Sequence, residues 1–304
     1  MDSSDVVGFG ALNIDRLYRV NRIAREDEES FVTGFSESCG GSAANTIIGL
    51  AKLKLKTGYI GKLAEDRGGR LHLEEFEREG VDTRGVIIAK NGRSGAVTGF
   101  VDKNGERALY IDPGVNDTIK PEEIDLEYAK KAKFLHLTSF VGEKPFEAQK
   151  MLMMKLPDDV KVSFDPGILY ARKGLNSLKP FIEKAFVVLP SERELKLLTN
   201  EDYENGAKIL IKKGVNIVAV KLGERGCYVA DRRGGHLVDP YHVRVVDTTG
   251  AGDAFSSGFL YGLVQEKDLN ECGKMGNYVA SRCIRKTGAR EGLPTRSDLE
   301  NNFR

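Results

Sequence analysis

Residues 247–255 read DTTGAGDAF. They follow an apolar segment at 242–246 that predicts a strand, and they lead into an apolar pattern over 251–265 that predicts a helix. Small residues at the start of a helix leave backbone N–H groups uncovered, and the helix dipole adds positive potential there. The carboxylate of Asp253 lies beside these groups, in the first helical turn. The amides predicted to bind an anion are those of Gly250, Ala251 and Gly252.

An anion site beside a carboxylate fits the transfer of a phosphoryl group to a hydroxyl. The amides would stabilise charge on the transferring oxygens, and Asp253 would accept the hydroxyl proton. The same spacing fits an ordinary strand-to-helix turn in which Asp253 only stabilises the helix dipole. Other phosphate motifs are missing: there is no Gly-x-x-x-x-Gly-Lys-Ser/Thr loop, and Asn13 stands where a dinucleotide fingerprint needs its third glycine.

Composition excludes several classes of protein. The 304 residues carry 46 Lys+Arg and 45 Asp+Glu, a net charge of +1, which argues against a nucleic-acid or membrane-surface protein. No apolar run approaches the roughly 18 residues that span a bilayer. The four cysteines form no Cys-x-x-Cys pair, so we expect no zinc site or disulfide framework and a reducing, cytoplasmic location.

The order of the predicted elements indicates the fold class. From about residue 120 onward, apolar strand patterns alternate with helical patterns, as in βαβ units with a mostly parallel sheet covered on both faces. Two apolar runs near 95–101 and 106–111 flank Asn104-Gly105, which predicts a β-hairpin. We therefore predict an α/β body with a small β appendage.

The chain resembles the PfkB (ribokinase-like) carbohydrate kinase family over nearly its whole length. The resemblance rests on GGSAAN at 40–45 together with 247–253, and three further stretches add to it: 8–15, 105–107 and 222–226. It implies a three-layer α/β/α sandwich with a mostly parallel sheet and a small β-sheet lid. It also implies one domain over residues 1–304, with lid strands drawn from about 12–38 and 86–115.

The resemblance further implies an ATP- and Mg²⁺-dependent kinase that phosphorylates a hydroxyl of a small sugar. Asp253 would be the base and Gly250, Ala251 and Gly252 the anion hole. The substrate-binding residues would be Asp15, Gly41 and Asn45, and the nucleotide-binding residues Lys221, Gly223, Gly226 and Asn277. Glu194 would act on Mg²⁺ through water, and Asp247 and Thr249 would contribute to a monovalent-cation site for K⁺. Relatives commonly carry Asn where this chain has Ser191, which affects the expected Mg²⁺ arrangement.

Two alternatives to the sugar kinase remain open. A nucleoside kinase of the same family would use aromatic residues such as Phe100, Tyr110 and Phe140 to stack on a base. A non-catalytic sugar-binding protein on the same scaffold is disfavoured because Asp253 and the three anion-hole positions are all retained. The resemblance also suggests a homodimer formed through the lid. Neither the sugar nor the hydroxyl that is modified is specified by the sequence.

Overall fold

Two β-sheets organise the chain in the computed structural model, which describes residues 3–303. The strands are β1 (Ser4–Phe9), β2 (Asn13–Val20), β3 (Val32–Gly40), β4 (Thr57–Ala64), β5 (Asp82–Ala89), β6 (Gly95–Val101), β7 (Arg107–Asp112), β8 (Ala132–Thr138), β9 (Lys161–Asp165), β10 (Ala185–Val188), β11 (Ile217–Lys221), β12 (Cys227–Asp231) and β13 (Gly234–Val238). Nine strands form a large sheet in the order β13-β12-β11-β10-β9-β8-β1-β4-β5. The other four form a small sheet in the order β3-β2-β6-β7.

The large sheet is parallel from β5 to β11, and β12 and β13 extend one edge in antiparallel fashion. Strands that are covered on both faces are expected to be almost continuously apolar. In β1, Val6, Val7 and Phe9 have no exposed surface. The predicted mostly parallel sheet is therefore confirmed.

Helices cover both faces of the large sheet. They are α1 (Ser42–Lys52), α2 (Arg67–Glu79), α3 (Leu126–Ala129), α4 (Glu143–Lys155), α5 (Gly167–Ala171), α6 (Gly174–Ser177), α7 (Lys179–Lys184), α8 (Glu192–Thr199), α9 (Tyr203–Lys212), α10 (Ala251–Val264), α11 (Leu269–Cys283) and α12 (Arg296–Asn302). One apolar core joins Val7 and Phe9 of β1 to α4, α5 and α7–α9. A second core, on the opposite face, joins Val6 to α1, α2 and α10–α12. This is the predicted three-layer arrangement. None of the described helices is long and apolar enough to cross a membrane.

The small sheet has two different faces because side chains alternate along each strand. Asp15 of β2 shares one face with Asn13 and with Ile111 of β7, and the latter two line a cavity together with residues of the large body. The other face carries what we call the outer aromatic cluster, formed by Tyr18, Phe35, Phe100 and Tyr110. The face that carries Asp15 is therefore the one turned towards the body.

The chain enters and leaves the small sheet close to the predicted positions. β6 and β7 pair around Asn104-Gly105, so the predicted hairpin forms, and Gly105 adopts a φ of 81°. Residues 86–89, which the sequence assigns to the lid, instead end β5 in the large sheet. There they pair with β4, for example Lys62 with Ile87.

Two local predictions are wrong. The predicted strand at 242–246 is absent because this segment has no strand beside it. Its last residue, Val246, is 56% exposed, and Val246 N and Asp247 N both donate to the carbonyl of Ile284 after α11. The sequence also predicts a helix over 43–53 with Ser42 as its cap, but Ser42 is the first residue of α1 and Gly41 is the cap.

Candidate active site

The candidate active site lies where the carboxyl ends of parallel strands meet the starts of two helices. β9 ends at Asp165 and β11 ends at Lys221, so both side chains lie at one edge of the large sheet. Helices α1 and α10 pack against each other, and their first turns carry Asn45 and Asp253. In open α/β sheets this edge is where ligands bind.

The two helix starts are joined directly by side chains. Asn45 Nδ2 donates a hydrogen bond to Asp253 Oδ2 at 2.7 Å, and Thr46 Oγ1 donates to the backbone carbonyl of Asp253 at 3.2 Å. Burial raises the pKa of Asp253 to about 7, although the hydrogen bond from Asn45 and the charge of Lys221 oppose this rise. Near neutral pH this carboxyl can therefore both accept and release a proton.

Arg290, which the sequence does not single out, completes this arrangement. Its Nε donates to Asn45 Oδ1 at 2.8 Å, a second nitrogen donates to the carbonyl of Gly40 at 3.3 Å, and a third pairs with Glu75. A guanidinium has donors only, so the oxygen of the Asn45 carboxamide faces Arg290 and the nitrogen faces Asp253. No local pattern identifies Arg290, because Asn45 lies 245 residues earlier in the chain.

The three amides predicted to form the anion hole lie at the start of α10. Gly250 has a φ of 76° and lies so close to Ala289 that a Cβ on Gly250 would be 2.5 Å from the Ala289 Cβ. Within residues 3–303, the amides of Gly250, Gly252 and Asp253 have no acceptor. The amide of Ala251 was predicted to be free, but it donates to the Thr248 carbonyl at 3.2 Å.

Lys221 lies beside these amides. Its Nζ donates to Asp165 Oδ2 at 2.6 Å, and Ser256 Oγ donates to the same oxygen at 3.2 Å. A Cβ on Gly252 would lie 3.5 Å from the Lys221 Nζ. Sequence analysis does not identify Asp165 as a site residue, because a lone aspartate before a Pro-Gly pair is also typical of a turn.

Glu194, predicted to act on Mg²⁺, has a structural role in α8. Glu194 Oε2 accepts from Ser191 N at 2.7 Å, and Ser191 Oγ accepts from Glu194 N at 3.3 Å, which is a capping box. This capping box gives Ser191 a structural role at the start of α8. Glu194 Oε1 has no hydrogen-bond partner within residues 3–303.

A cavity of about 160 Å³ lies between the body-facing side of the small sheet and the start of α1. Its lining residues are Ala11, Asn13, Gly41, Ser42, Ile111, Pro113, Asn116, Asp117, Thr138, Ser139, Phe140, Val141 and Leu169. Asn13 Oδ1 accepts from Asn116 Nδ2 at 3.1 Å. The lining has polar groups and one carboxylate, with no lysine, arginine or histidine among its described residues. It therefore matches a small ligand rich in hydroxyls.

Two predicted substrate residues lie next to this cavity. Gly41 lines it with a φ of 103°, and a Cβ there would be 2.1 Å from the Ala11 carbonyl oxygen. Asp15 is not among the lining residues, and its carboxylate lies against Gly40. Burial raises the pKa of Asp15 to about 6, against the opposing charge of Arg290.

Comparison with known proteins decides the family. The model of the pfkB family carbohydrate kinases matches residues 3–296. The chain belongs to this family.

Individual relatives agree with this assignment. A protein of Archaeoglobus fulgidus described as an uncharacterized sugar kinase is 47% identical over 251 residues, covering 83% of this chain and 100% of that protein. An ATP-dependent ribose-1-phosphate kinase of Halopiger xanaduensis is 34% identical over 285 residues, covering 94% of this chain and 93% of that protein. The structure of Arabidopsis thaliana ribokinase complexed with ribose and ATP matches with a TM-score of 0.88 at 26% identity, covering 99% and 98% of the two chains. The predicted ribokinase-like fold and carbohydrate kinase class are confirmed.

The residues predicted to bind nucleotide in this kinase lie in two places. Gly223 and Gly226 flank a short turn after β11, with φ values of 64° and 80°. A Cβ on Gly226 would lie 2.2 Å from the Val238 carbonyl oxygen, so this glycine permits close packing against β13. Asn277 of α11 donates to the carbonyls of Val238 and Asp239 at 3.0 and 2.9 Å, so both its N–H groups hold the end of β13.

The residues predicted to bind K⁺ in this kinase form a closed set of hydrogen bonds. Asp247 Oδ1 accepts from the amide and hydroxyl of Thr249 at 2.9 and 2.7 Å, and Asp247 Oδ2 accepts from Gly288 N at 2.8 Å. Burial acts to raise the pKa of Asp247, but these hydrogen bonds outweigh it and lower the pKa. Within residues 3–303, no group of three or more His, Cys, Asp and Glu side chains could hold a metal ion.

Proposed function

We propose that this kinase transfers the γ-phosphoryl group of ATP to a hydroxyl of a small, uncharged sugar bound in the 160 Å³ cavity. The observation that carries the proposal is the Asn45–Asp253 hydrogen bond, which holds a carboxylate beside the free amides that start α10. A proton acceptor and an anion site then lie within reach of one another, as transfer to a hydroxyl requires.

Each part of the site has a separate task in the transfer. Asp253 accepts the proton of the sugar hydroxyl while the hydroxyl oxygen forms a bond to the γ-phosphorus and the bond to the β-phosphate oxygen breaks. The amides of Gly250 and Gly252, with the dipole of α10, stabilise charge on the transferring oxygens. ADP leaves with the former bridging oxygen.

The charges of the site are compatible with Mg²⁺. The charges of three carboxylates, those of Asp165, Asp253 and Glu194, act on the ammonium of Lys221, so an added triphosphate needs further positive charge. Glu194 Oε1 is the free carboxylate oxygen that would hold Mg²⁺ through water. When bound, Mg²⁺ would neutralise charge on the phosphate oxygens.

A phosphorylated sugar is the second candidate substrate. The relative from Halopiger xanaduensis is a ribose-1-phosphate kinase at 34% identity. Arg107 begins β7 on the same sheet face as Asp15, and its charge acts on Asp247, so a cation faces the body near the start of α10. The first candidate is favoured because the described lining of the cavity has no basic side chain.

A nucleoside receives less support from the aromatic residues named for it. Phe100 and Tyr110 belong to the outer aromatic cluster, with ring centroids 6.2 Å apart, on the sheet face opposite Asp15. Phe140 lines the cavity but is almost fully buried and packs edge-on against Phe9. Of these three aromatic residues, only Phe140 therefore borders the cavity that a base could enter.

The outer aromatic cluster supports a homodimer through the lid. Phe35 is 56% exposed and Tyr110 is 64% exposed, and a contiguous apolar patch of this kind marks an interaction surface. We propose a second copy of this chain as its occupant.

The four cysteines are free thiols, which supports a cytoplasmic location. K⁺ at Asp247 and Thr249 remains a proposal that needs the Asp247 hydrogen bonds to rearrange.

The test of the function is a substrate panel with the wild-type enzyme and Asp253→Asn. Turnover of ATP is measured in the presence of Mg²⁺ with pentoses, hexoses, ribose-1-phosphate and nucleosides as acceptors. We expect a neutral sugar to be phosphorylated, and Asp253→Asn to lower kcat by about 100-fold or more. Near-normal sugar phosphorylation by Asp253→Asn would refute the mechanism. Sugar binding without any turnover by the wild type would instead indicate a non-catalytic binding protein.

A further inference from the structure

Lys221 is an enclosed ammonium with unused hydrogen-bonding capacity. Its side chain is only 14% exposed at the end of β11. A lysine ammonium has three N–H donors, and within residues 3–303 Nζ has one acceptor, Asp165 Oδ2 at 2.6 Å. An enclosed ammonium with two free donors is expected to have a ligand on its open side.

The Lys221 ammonium lies beside the amides of the predicted anion hole. The Nζ lies 3.5 Å from the place that a Cβ would take on Gly252, and the Gly252 amide has no acceptor. Three carboxylates act on the ammonium, from Asp165, Glu194 and Asp253, and together they keep it protonated by raising its pKa against the effect of burial. The cation therefore lies next to the backbone of Gly252, whose amide is free.

We propose that Lys221 contacts a non-bridging oxygen of the transferring phosphoryl group, and that Asp165 is the positioning residue that holds the ammonium there. This inference rests on the proposed function, because it assumes that the phosphoryl group passes the start of α10. It assigns Lys221 a contact with the reacting phosphate, whereas the sequence predicts only that Lys221 is one of the residues that bind the nucleotide.

The contact has a specific consequence for nucleotide binding. ADP lacks the γ-phosphoryl group, so an ammonium aimed at that group distinguishes a triphosphate from ADP. A lysine that only supported the adenosine or the α- and β-phosphates would affect both nucleotides equally. A lysine that only tuned Asp253 would move the pH dependence and leave nucleotide affinity unchanged.

The experiment compares Lys221→Gln, Lys221→Arg and Asp165→Asn. The matched control is Lys62→Gln, which breaks the ion pair between Lys62 and Glu123. The N–O distance of this pair is 2.5 Å, and neither residue lines the cavity. Affinities for ADP and for the non-hydrolysable analogue AMP-PNP are measured with Mg²⁺ by calorimetry, alongside kcat and thermal melting. Lys221→Gln retains a donor for Asp165, so the Asp165 carboxylate keeps a partner.

For Lys221→Gln we expect about a tenfold or greater loss of AMP-PNP affinity with ADP affinity unchanged, and about a 100-fold loss of kcat at all pH values. Lys221→Arg should recover part of both losses, since it keeps the charge. Asp165→Asn should weaken AMP-PNP binding less than Lys221→Gln, and Lys62→Gln should leave both affinities unchanged.

For Lys221→Gln, three results on nucleotide affinity and pH dependence would each overturn the inference. They are an equal loss of ADP and AMP-PNP affinity, no loss of either, and a shift of the pH profile with an unchanged plateau of kcat. If Lys221→Gln melts too early to be measured, the AMP-PNP to ADP affinity ratios of Lys221→Arg and Asp165→Asn decide, since unchanged ratios in both refute the contact. Normal sugar phosphorylation by Lys221→Gln removes only this inference, whereas failure of the wild type on every acceptor removes the proposed function.

Discussion

Arg290 Nε donates a hydrogen bond to Asn45 Oδ1 at 2.8 Å, and this contact determines which end of the Asn45 carboxamide faces Asp253. Without it, the amide oxygen could turn towards the carboxylate and leave Asp253 without a donor. The orientation of the proposed base thus depends on a residue that does not touch it.

We expect Arg290→Met to lower kcat by about 10- to 100-fold, because Asp253 loses its fixed orientation. The variant should also be less stable by about 3 kcal/mol, since Glu75 loses its buried partner. Glu75→Gln is the control, because it weakens the same ion pair and leaves Asn45 in place. Equal losses of kcat in the two variants would show that Arg290 has only a structural role.

The pH dependence of catalysis should report Asp253. Its pKa is raised to about 7 by burial, and the base must be ionised to accept a proton. We therefore expect kcat/KM to fall about tenfold for each pH unit below 7. Asn45→Asp would move this fall to higher pH by replacing a donor with a second carboxylate. A flat profile between about pH 5.5 and 8 would contradict this prediction.

The same pKa shift makes Asp253 a source of instability at neutral pH. The folded protein binds the Asp253 proton more tightly than the unfolded chain does, so the free energy of unfolding falls as pH rises from about 4 to 7. Asp253→Asn lacks this fall. We expect its stability relative to wild type to grow across that window by about 4 kcal/mol and then level off. Thermal melts at several pH values measure it, and a difference that is constant with pH would refute it.

Gly41 should tolerate no side chain. Its φ is 103°, and a Cβ would be 2.1 Å from the Ala11 carbonyl oxygen. We expect Gly41→Ala to destabilise the fold by about 3 kcal/mol or more and to weaken sugar binding. Gly105→Ala is the control, since Gly105 also has a positive φ but nothing lies within 4 Å of its Cβ position. Its loss should be about 1 kcal/mol, and equal losses in chemical denaturation would contradict the clash.

The homodimer should depend on the outer aromatic cluster. Phe35→Glu combined with Tyr110→Glu places charges in this exposed apolar patch, so we expect a monomer by light scattering. Lys103→Glu in the nearby hairpin turn changes charge without removing apolar surface and should leave the mass unchanged. A wild-type protein that is monomeric at all concentrations would rule out the dimer.

Local sequence signals predicted the elements that depend on local physics. The charged segment 67–79 predicts an exposed helix, and α2 runs from Arg67 to Glu79, with Asp66 accepting from Gly69 N as its cap. The hairpin at Asn104-Gly105 forms because these residues suit its turn. Gly41, Asn45 and Asp253 were predicted as site residues because they belong to two motifs, 40–45 and 247–253, that together indicated the family.

What the sequence could not supply depends on distant partners. Arg290 and Asp165 gain their significance only from side chains that the fold brings beside them. The apolar residues of 242–246 resemble a strand, but a strand needs a neighbour, and none lies beside this segment. The sequence predicts a free Ala251 amide, but the turn that precedes α10 places the Thr248 carbonyl 3.2 Å from it.

The position of β1 has a consequence for how this enzyme is made. Its partners in the sheet are β4 and, much later in the chain, β8, so β1 is synthesised well before its second neighbour. Such long-range pairing slows folding and leaves the apolar strand β1 unpaired on one side during synthesis. Nascent chains that do not yet include β8 are therefore expected to need chaperone protection.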